Sequence, residues 1–344
     1  MSTNRTPSIP AISAMQGLSL VEMMVAMLIG LLLIGGTISI FISTQQTSRT
    51  LEAMSRVQES GRFAIERITR DAREAGHAGC PAGQINSILN VNDPGFDPSI
   101  HDNVQPFSEE PDNLPDRYVR GHILTINRMS SSGRDLTASG NGPGNPPPIV
   151  LDGAEAGIPM GTIVMVVDES GSRCERFQHN ANKNATNLDR SQNPGGPGNL
   201  PPQSATYTEF FGPIDLLTLS SNSYYIGEST ADPDRTSLFR KNMKTGDTPH
   251  EIAEGVHDMR LEYGLDDDRN GRVDRYVSAD NMSSGDWENA AAVRVHLLVN
   301  NGAENNVVDE PQENIYFAGG FFDAPDRRLY QVFTTTIGAR NLLE

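Results

Sequence analysis

Gly17-Leu18-Ser19-Leu20-Val21-Glu22-Met23-Met24-Val25-Ala26 is the stretch on which the fold of this chain turns. It opens a 25-residue, mostly apolar run, Leu18 to Ile42, whose only charged residue is Glu22. Roughly 20 apolar residues at about 1.5 Å rise each cross the hydrocarbon core of a bilayer, so the run predicts a membrane-spanning helix. A carboxylate within such a helix costs about 2.5–3.5 kcal/mol at the bilayer centre. Glu22 therefore calls for a specific partner. The 17 residues before the run are polar and end in Ala14-Met15-Gln16-Gly17, with Arg5 as their one basic residue. A secretory signal places its apolar segment before the cleavage site; here the order is inverted.

The helical pattern extends beyond the run. No proline occurs between Pro10 and Pro81. Over residues 43–75, Leu51, Met54, Gly61, Ile65, Ile68, Ala72 and Ala75 recur at one-face spacing. The other faces carry Glu52, Arg56, Glu59, Arg62, Glu66, Arg70 and Glu74, with Glu52–Arg56 and Glu66–Arg70 in the favourable i,i+4 order. One helix from about Leu18 to Ala75 is predicted, its second half packing a stripe on a head. Gly76-His77-Ala78-Gly79-Cys80-Pro81 stops it. Beyond lie short β-like runs: Tyr118–Asn127, Thr162–Asp168, Tyr224–Gly227, Ser237–Arg240, Met259–Tyr263, Val293–Asn300, Ile315–Phe317 and Leu329–Ile337. Loops rich in Gly, Pro and Asn, 141–148 and 193–202, are too polar for a core and suit contact or disordered segments. The expected class is α+β: a membrane-spanning half helix (18–42), an amphipathic half (43–75) and a β-rich, loop-rich head (76–344).

Composition narrows the function. Among 344 residues the net charge is −17, hydrophobic content is 37 %, and there are 32 Gly and 22 Pro. An acidic surface repels phosphate backbones, so no nucleic-acid partner is expected. GxSxG, HExxH, P-loop and dinucleotide fingerprints are absent from the sequence. His257 and Asp258 are adjacent, and on a strand adjacent side chains face opposite ways, which makes a poor dyad. Nothing asks for catalysis, and the chain is expected not to be an enzyme. Cys80 and Cys174 form no metal-ligand cluster. Outside the cytoplasm they suit one disulfide, worth roughly 4–5 kcal/mol for a loop of about 95 residues; the alternative is two unrelated buried thiols.

Asp266-Asp267-Asp268-Arg269-Asn270-Gly271-Arg272-Val273-Asp274 matches the start of a D-x-[DN]-x-[DN]-G calcium loop. Asp266, Asp268, Asn270 and Asp274 would offer side-chain oxygens and Arg272 its carbonyl, the hard donors Ca²⁺ prefers. Val273 would anchor the loop. The twelfth position is Val277, so a further ligand would come from Asp280 or Glu262. The strand-like flanks equally suit an Asp/Asn/Gly hairpin turn without metal.

Three stretches carry a resemblance. The first is Gly17 to Ala26. The second is Met259-Arg260-Leu261-Glu262-Tyr263-Gly264, running through the acidic loop to Val273-Asp274-Arg275-Tyr276-Val277. The third is Phe333-Thr334-Thr335-Thr336-Ile337-Gly338-Ala339-Arg340-Asn341. The first resembles the class III signal of type IV prepilin-like proteins; all three together resemble the PilW family of minor pilins. The resemblance implies a leader, residues 1–17, removed after Gly17 by a prepilin peptidase, and methylation of the new amino terminus at Leu18. Members usually begin with Phe, and their leaders are usually more basic. The resemblance also implies that Glu22 pairs with the amino terminus of a neighbouring subunit, and that the chain has the lollipop shape of a pilin. Its implied partners are other minor pilins, the major pilin and the inner-membrane assembly platform. The implied setting is a single-pass inner-membrane protein with a periplasmic head, which then enters the extracellular pilus. The implied role is a priming or tip complex in pilus assembly, serving twitching motility and adhesion. A minor pseudopilin of a type II secretion system is the neighbouring alternative; a membrane-tethered periplasmic binding protein and a tip adhesin are more distant ones.

Overall fold

The computed structural model describes residues 19–80, 84–93, 96, 104–111, 113–192, 198–243, 248–302 and 305–339. Gly17, Leu18, Pro81, residues 193–197 of the loop 193–202, and Arg340–Asn341, all used above, lie outside them. The chain divides into two units, residues up to Glu52 and residues from Ala53.

A single helix, α1, runs from Leu20 to Arg73, starting two residues later and ending two earlier than expected. In the first unit its side chains from Leu20 to Ile42 are exposed apart from Gly30, which is partly covered. Mean hydropathy there reaches 2.5, and the helix is long and apolar enough to cross a membrane.

In the second unit α1 is amphipathic. Ala53, Val57, Gly61, Ala64, Ile68, Asp71 and Ala72 are buried. Gly61, Ile68, Ala72 and Ala75 are buried as expected, whereas Leu51 and Met54 are exposed and Ile65 is only partly covered, their places being taken by Ala53, Val57 and Ala64. Small residues occupy it because the helix approaches the sheet closely. A methyl group on Gly61 would stand 2.3 Å from the Phe333 ring, so only glycine admits this contact.

The β-structure comprises β1 (Asn86–Ser87), β2 (Phe107–Ser108), β3 (Tyr118–Ser131), β4 (Leu136–Asn141), β5 (Ile149–Leu151), β6 (Ile163–Asp168), β7 (Cys174–Gln178), β8 (Asn187–Leu188), β9 (Phe211–Glu228), β10 (Thr236–Asn242), β11 (His250–Glu254), β12 (Val256–Leu265), β13 (Arg275–Ser278), β14 (Ala290–Asn300), β15 (Ile315–Phe317), β16 (Gly320–Phe322) and β17 (Tyr330–Gly338). With α1 this makes an α+β chain. An 11-stranded sheet is organised by the 18-residue β9, whose first part pairs with β4 and β6 and whose second part pairs with β3 and β10. A four-stranded antiparallel sheet follows in the order β13-β12-β14-β17. β15 and β16 form a separate hairpin.

The core that holds α1 joins Val57, Ala64, Ile68 and Ala72 to Leu124, Ile126, Tyr224 and Ile226, and to Leu261, Tyr263, Val293, Val295 and Ile337. A second core, under β4 to β8, contains no residue of α1. Cys80 and Cys174 are joined by a disulfide with Cα atoms 5.9 Å apart. It ties the segment after α1 to the start of β7 across a sequence separation of 94.

Candidate functional site

Ser19 and Glu22 begin α1 as a capping box. The Ser19 N–H donates to Glu22 Oε2 at 3.1 Å, and the Val21 N–H donates to Ser19 Oγ at 3.2 Å. Two of the orphan donors at the helix start are thereby satisfied. The signal was in the sequence: Ser19-Leu20-Val21-Glu22 is an S-x-x-E motif before an apolar run. Glu22 thus has a local task as the third residue of the helix, and its carboxylate turns back toward the chain preceding it. The apolar side chains that follow are uncovered, and fully burying a Leu or Met is worth about 1.5–3 kcal/mol. A surface of this kind favours lipid or partner helices over water.

In the second unit α1 is fixed by a polar lock that sequence reading missed. Asp71 is buried; its Oδ2 accepts from the Tyr224 hydroxyl at 2.7 Å and from Arg240 Nε at 2.9 Å. Burial, then the Asp71 charge, pushes the Tyr224 hydroxyl well above the ordinary tyrosine range, so it stays a donor. Asp71 sits among apolar positions of the stripe, and nothing local marks its partners 153 and 169 residues away. The exposed Glu66–Arg70 pair, at 3.5 Å, is worth little by comparison.

The acidic loop joins β12 to β13, so both flanks are strands, as expected. Asp266, Asp268 and Asp274 are brought together, each with a carboxylate oxygen within 4.8 Å of the others. Asp266 is buried and already satisfied: it accepts the N–H groups of Asn270 at 3.0 Å and Gly271 at 2.8 Å. Asn270 turns its amide nitrogen to Asp268 Oδ2 at 2.8 Å, and Asp274 accepts the Asp267 N–H at 2.9 Å. Arg272 is exposed. Val273 packs against Gly264, where a methyl group would meet it at 2.9 Å. The two residues considered as further ligands are engaged elsewhere. Asp280 contacts His122 Nε2 at 3.1 Å, and Glu262 accepts from Arg294 Nη1 at 2.8 Å. The loop is a hydrogen-bonded turn that also gathers three carboxylates.

The loop at 141–148 is not loose. Arg190, fully buried, donates to Asn141 Oδ1 at 2.7 Å and to the Pro147 carbonyl at 2.8 Å. Its guanidinium also pairs with the fully buried Glu175 at 2.7 Å and lies 5.0 Å from the Tyr207 ring centroid. Removing one partner of such a pair costs about 3–5 kcal/mol. The polar composition of the loop hid this anchoring, because its buried partner lies on a different segment. His257 is likewise structural. Its ring packs against Phe322 and Tyr330, and its Nε2 lies 3.1 Å from Arg120 Nη1. Burial and then the Arg120 charge lower its pKa to about 4, so it is neutral at pH 7.

The family described as Type IV Pilus-assembly protein W matches residues 223–341. The matched segment takes in the end of β9 and everything from β10 through β17, including the acidic loop. It supplies much of the core that holds α1, to which Phe107, Leu124 and Ile126 outside the match also contribute. The match supports a place among type IV pilus-assembly proteins. No curated protein and no solved structure matches the chain.

Proposed function

We propose that this chain is a minor pilin: a non-enzymatic subunit that helps prime assembly of a type IV pilus. The observation carrying this reading is a coincidence in one chain. A helix of uncovered apolar side chains bears a single acid at its start, and a head segment matches a pilus-assembly family. In this reading residues 1–17 are a leader removed after Gly17, and Leu18 becomes a methylated amino terminus. The apolar half of α1 anchors the chain in the inner membrane and later packs beside the helices of other minor pilins and the major pilin. The head faces the periplasm. Several weak lateral contacts then act together, each later one being effectively intramolecular.

Glu22 distinguishes assembly from capping. Glu22→Gln keeps an acceptor for the Ser19 N–H but removes the charge; Glu22→Ala removes both. Both variants are expected to insert in the membrane at wild-type abundance and to reduce surface pili at least tenfold. Full piliation with Glu22→Gln contradicts charge pairing with a neighbouring amino terminus. Lost secretion with intact pili in a deletion strain points to a secretion pseudopilus instead.

The convergence of Asp266, Asp268 and Asp274 favours a second property, Ca²⁺ binding on the β12–β13 loop. Calcium at ten times its Kd would stabilise the fold by about 1.4 kcal/mol. The thermal midpoint is expected to rise in calcium over chelator, and Asp268→Asn to abolish the rise. A wild-type midpoint unmoved by millimolar calcium leaves the loop a turn alone.

A further inference from the structure

The two edges of the four-stranded sheet are unlike. One edge, β13, has four residues and begins with Arg275, whose guanidinium bonds Asp267 at 2.8 Å and Asp286 at 2.8 Å. A short, charged edge resists pairing with another strand. The other edge is β17, with nine residues, Tyr-Gln-Val-Phe-Thr-Thr-Thr-Ile-Gly, and neither charge nor proline. Among the described residues it pairs with β14 and with no other strand.

The direction of its backbone groups follows from two contacts. Tyr330 turns its main chain away from β14: its N–H donates to Gln312 Oε1 at 2.6 Å, and its carbonyl accepts Gln312 Nε2 at 3.4 Å. Ala339, of opposite parity, turns inward and donates to the Ala291 carbonyl at 2.8 Å. Strand residues alternate, so Val332, Thr334, Thr336 and Gly338 also present N–H and C=O outward. None of the four has a backbone partner on that side among the described residues. Thr334 and Thr336 are exposed. The Gln312 amide meanwhile makes at Tyr330 the two-point contact that one residue of a neighbouring strand would make. The edge is thus capped at one end by a peptide-like group and open along the rest.

We infer that the outer edge of β17, from Val332 to Gly338, receives an extended strand from a neighbouring subunit of the assembly. The contact would be made by main-chain hydrogen bonds, with Thr334 and Thr336 beside the added strand. The inference rests on the minor-pilin reading and names the contact through which the head selects its neighbour.

Proline tests it, because Thr334→Pro deletes an outward N–H and leaves the β14 ladder intact; proline is tolerated on such an edge. The full chain carrying Thr334→Pro is expected to keep its thermal midpoint within a few degrees in detergent. It should lose co-purification with other pilus subunits at least tenfold, whereas Thr334→Ala should lose neither. A folded Thr334→Pro chain that recovers its partners at the wild-type level overturns the inference. If the proline chain does not fold, amide exchange decides on the wild-type protein. The Thr334 and Thr336 amides should exchange fast in the isolated chain and become protected in the partner complex, with Phe333 and Thr335 protected in both; fast exchange of Thr334 in the complex overturns it. A wild-type chain that neither joins a complex nor affects piliation counts instead against the minor-pilin reading.

Discussion

The two stretches of α1 share one backbone geometry and present opposite surfaces. From Leu20 to Ile42 the helix is apolar on every side and its side chains are uncovered. From Ala53 to Arg73 a single stripe of Ala, Val, Gly and Ile is buried, with arginines and glutamates outside it. The difference is one of solvent. The first surface is compatible with lipid or with other helices, since leaving so much apolar area in water is unfavourable. The second is satisfied by the chain's own sheet. A glycine therefore means different things in the two places. A methyl group added at Gly30, Gly35 or Gly36 would meet nothing within 4 Å, whereas Gly61 lies against Phe333.

The largest expected effect uses that contrast. Gly61→Val drives branched carbons into the Phe333 ring and should destabilise the head by about 1–3 kcal/mol, read as a lower midpoint in thermal unfolding. Gly35→Val places the same side chain where nothing stands and should leave that midpoint unchanged. Equal shifts from both substitutions break the comparison.

A smaller effect separates the buried side of the head from its surface. His257 takes up a proton only near pH 4 in the folded chain, against about 6.5 when unfolded. The unfolded state therefore binds more protons as pH falls from about 6.5 to about 4, and stability declines over that window. His257→Gln should flatten part of the decline in urea midpoints measured between pH 7 and 4.5. His179, fully buried with a lowered pKa, supplies another part. Asp168 acts at lower pH. Burial raises its pKa, but the Arg173 N–H and the side chains of Ser170, Arg173 and Ser172 outweigh this and hold it at about 2. Its contribution is full above about pH 4 and is lost as pH falls through 2.

Elements whose physics is local were legible in the sequence. The apolar run, the Gly76–Pro81 stop and the strand-flanked acidic loop could all be read from neighbouring residues. Ile315–Phe317 was placed to the residue. Tyr224–Gly227 was recognised only as the tail of an 18-residue strand. The earlier part of β9 includes Gly212, Pro213 and several serines, which carry little strand signal of their own; strands on both sides supply the partners. Nothing in the residues next to Asp71 or Arg190 marks either as buried and bonded. What they hold is set by residues far away in sequence, and pattern carries no record of that distance. The buried helical stripe met expectation at Gly61, Ile68, Ala72 and Ala75 and departed at Leu51, Met54 and Ile65, where Ala53, Val57 and Ala64 are buried instead, for a related reason. Alanine and glycine carry little hydrophobic signal, yet a close helix–sheet approach demands them.

The account turns on the start of the mature chain. Intact-mass and amino-terminal peptide mass spectrometry of the protein taken from membranes or sheared pili tests it most directly. The expected result is a chain beginning at Leu18 with a methylated amino group and Glu22 as its fifth residue. A functional protein that retains residues 1–17, or that begins within the apolar run, would contradict it.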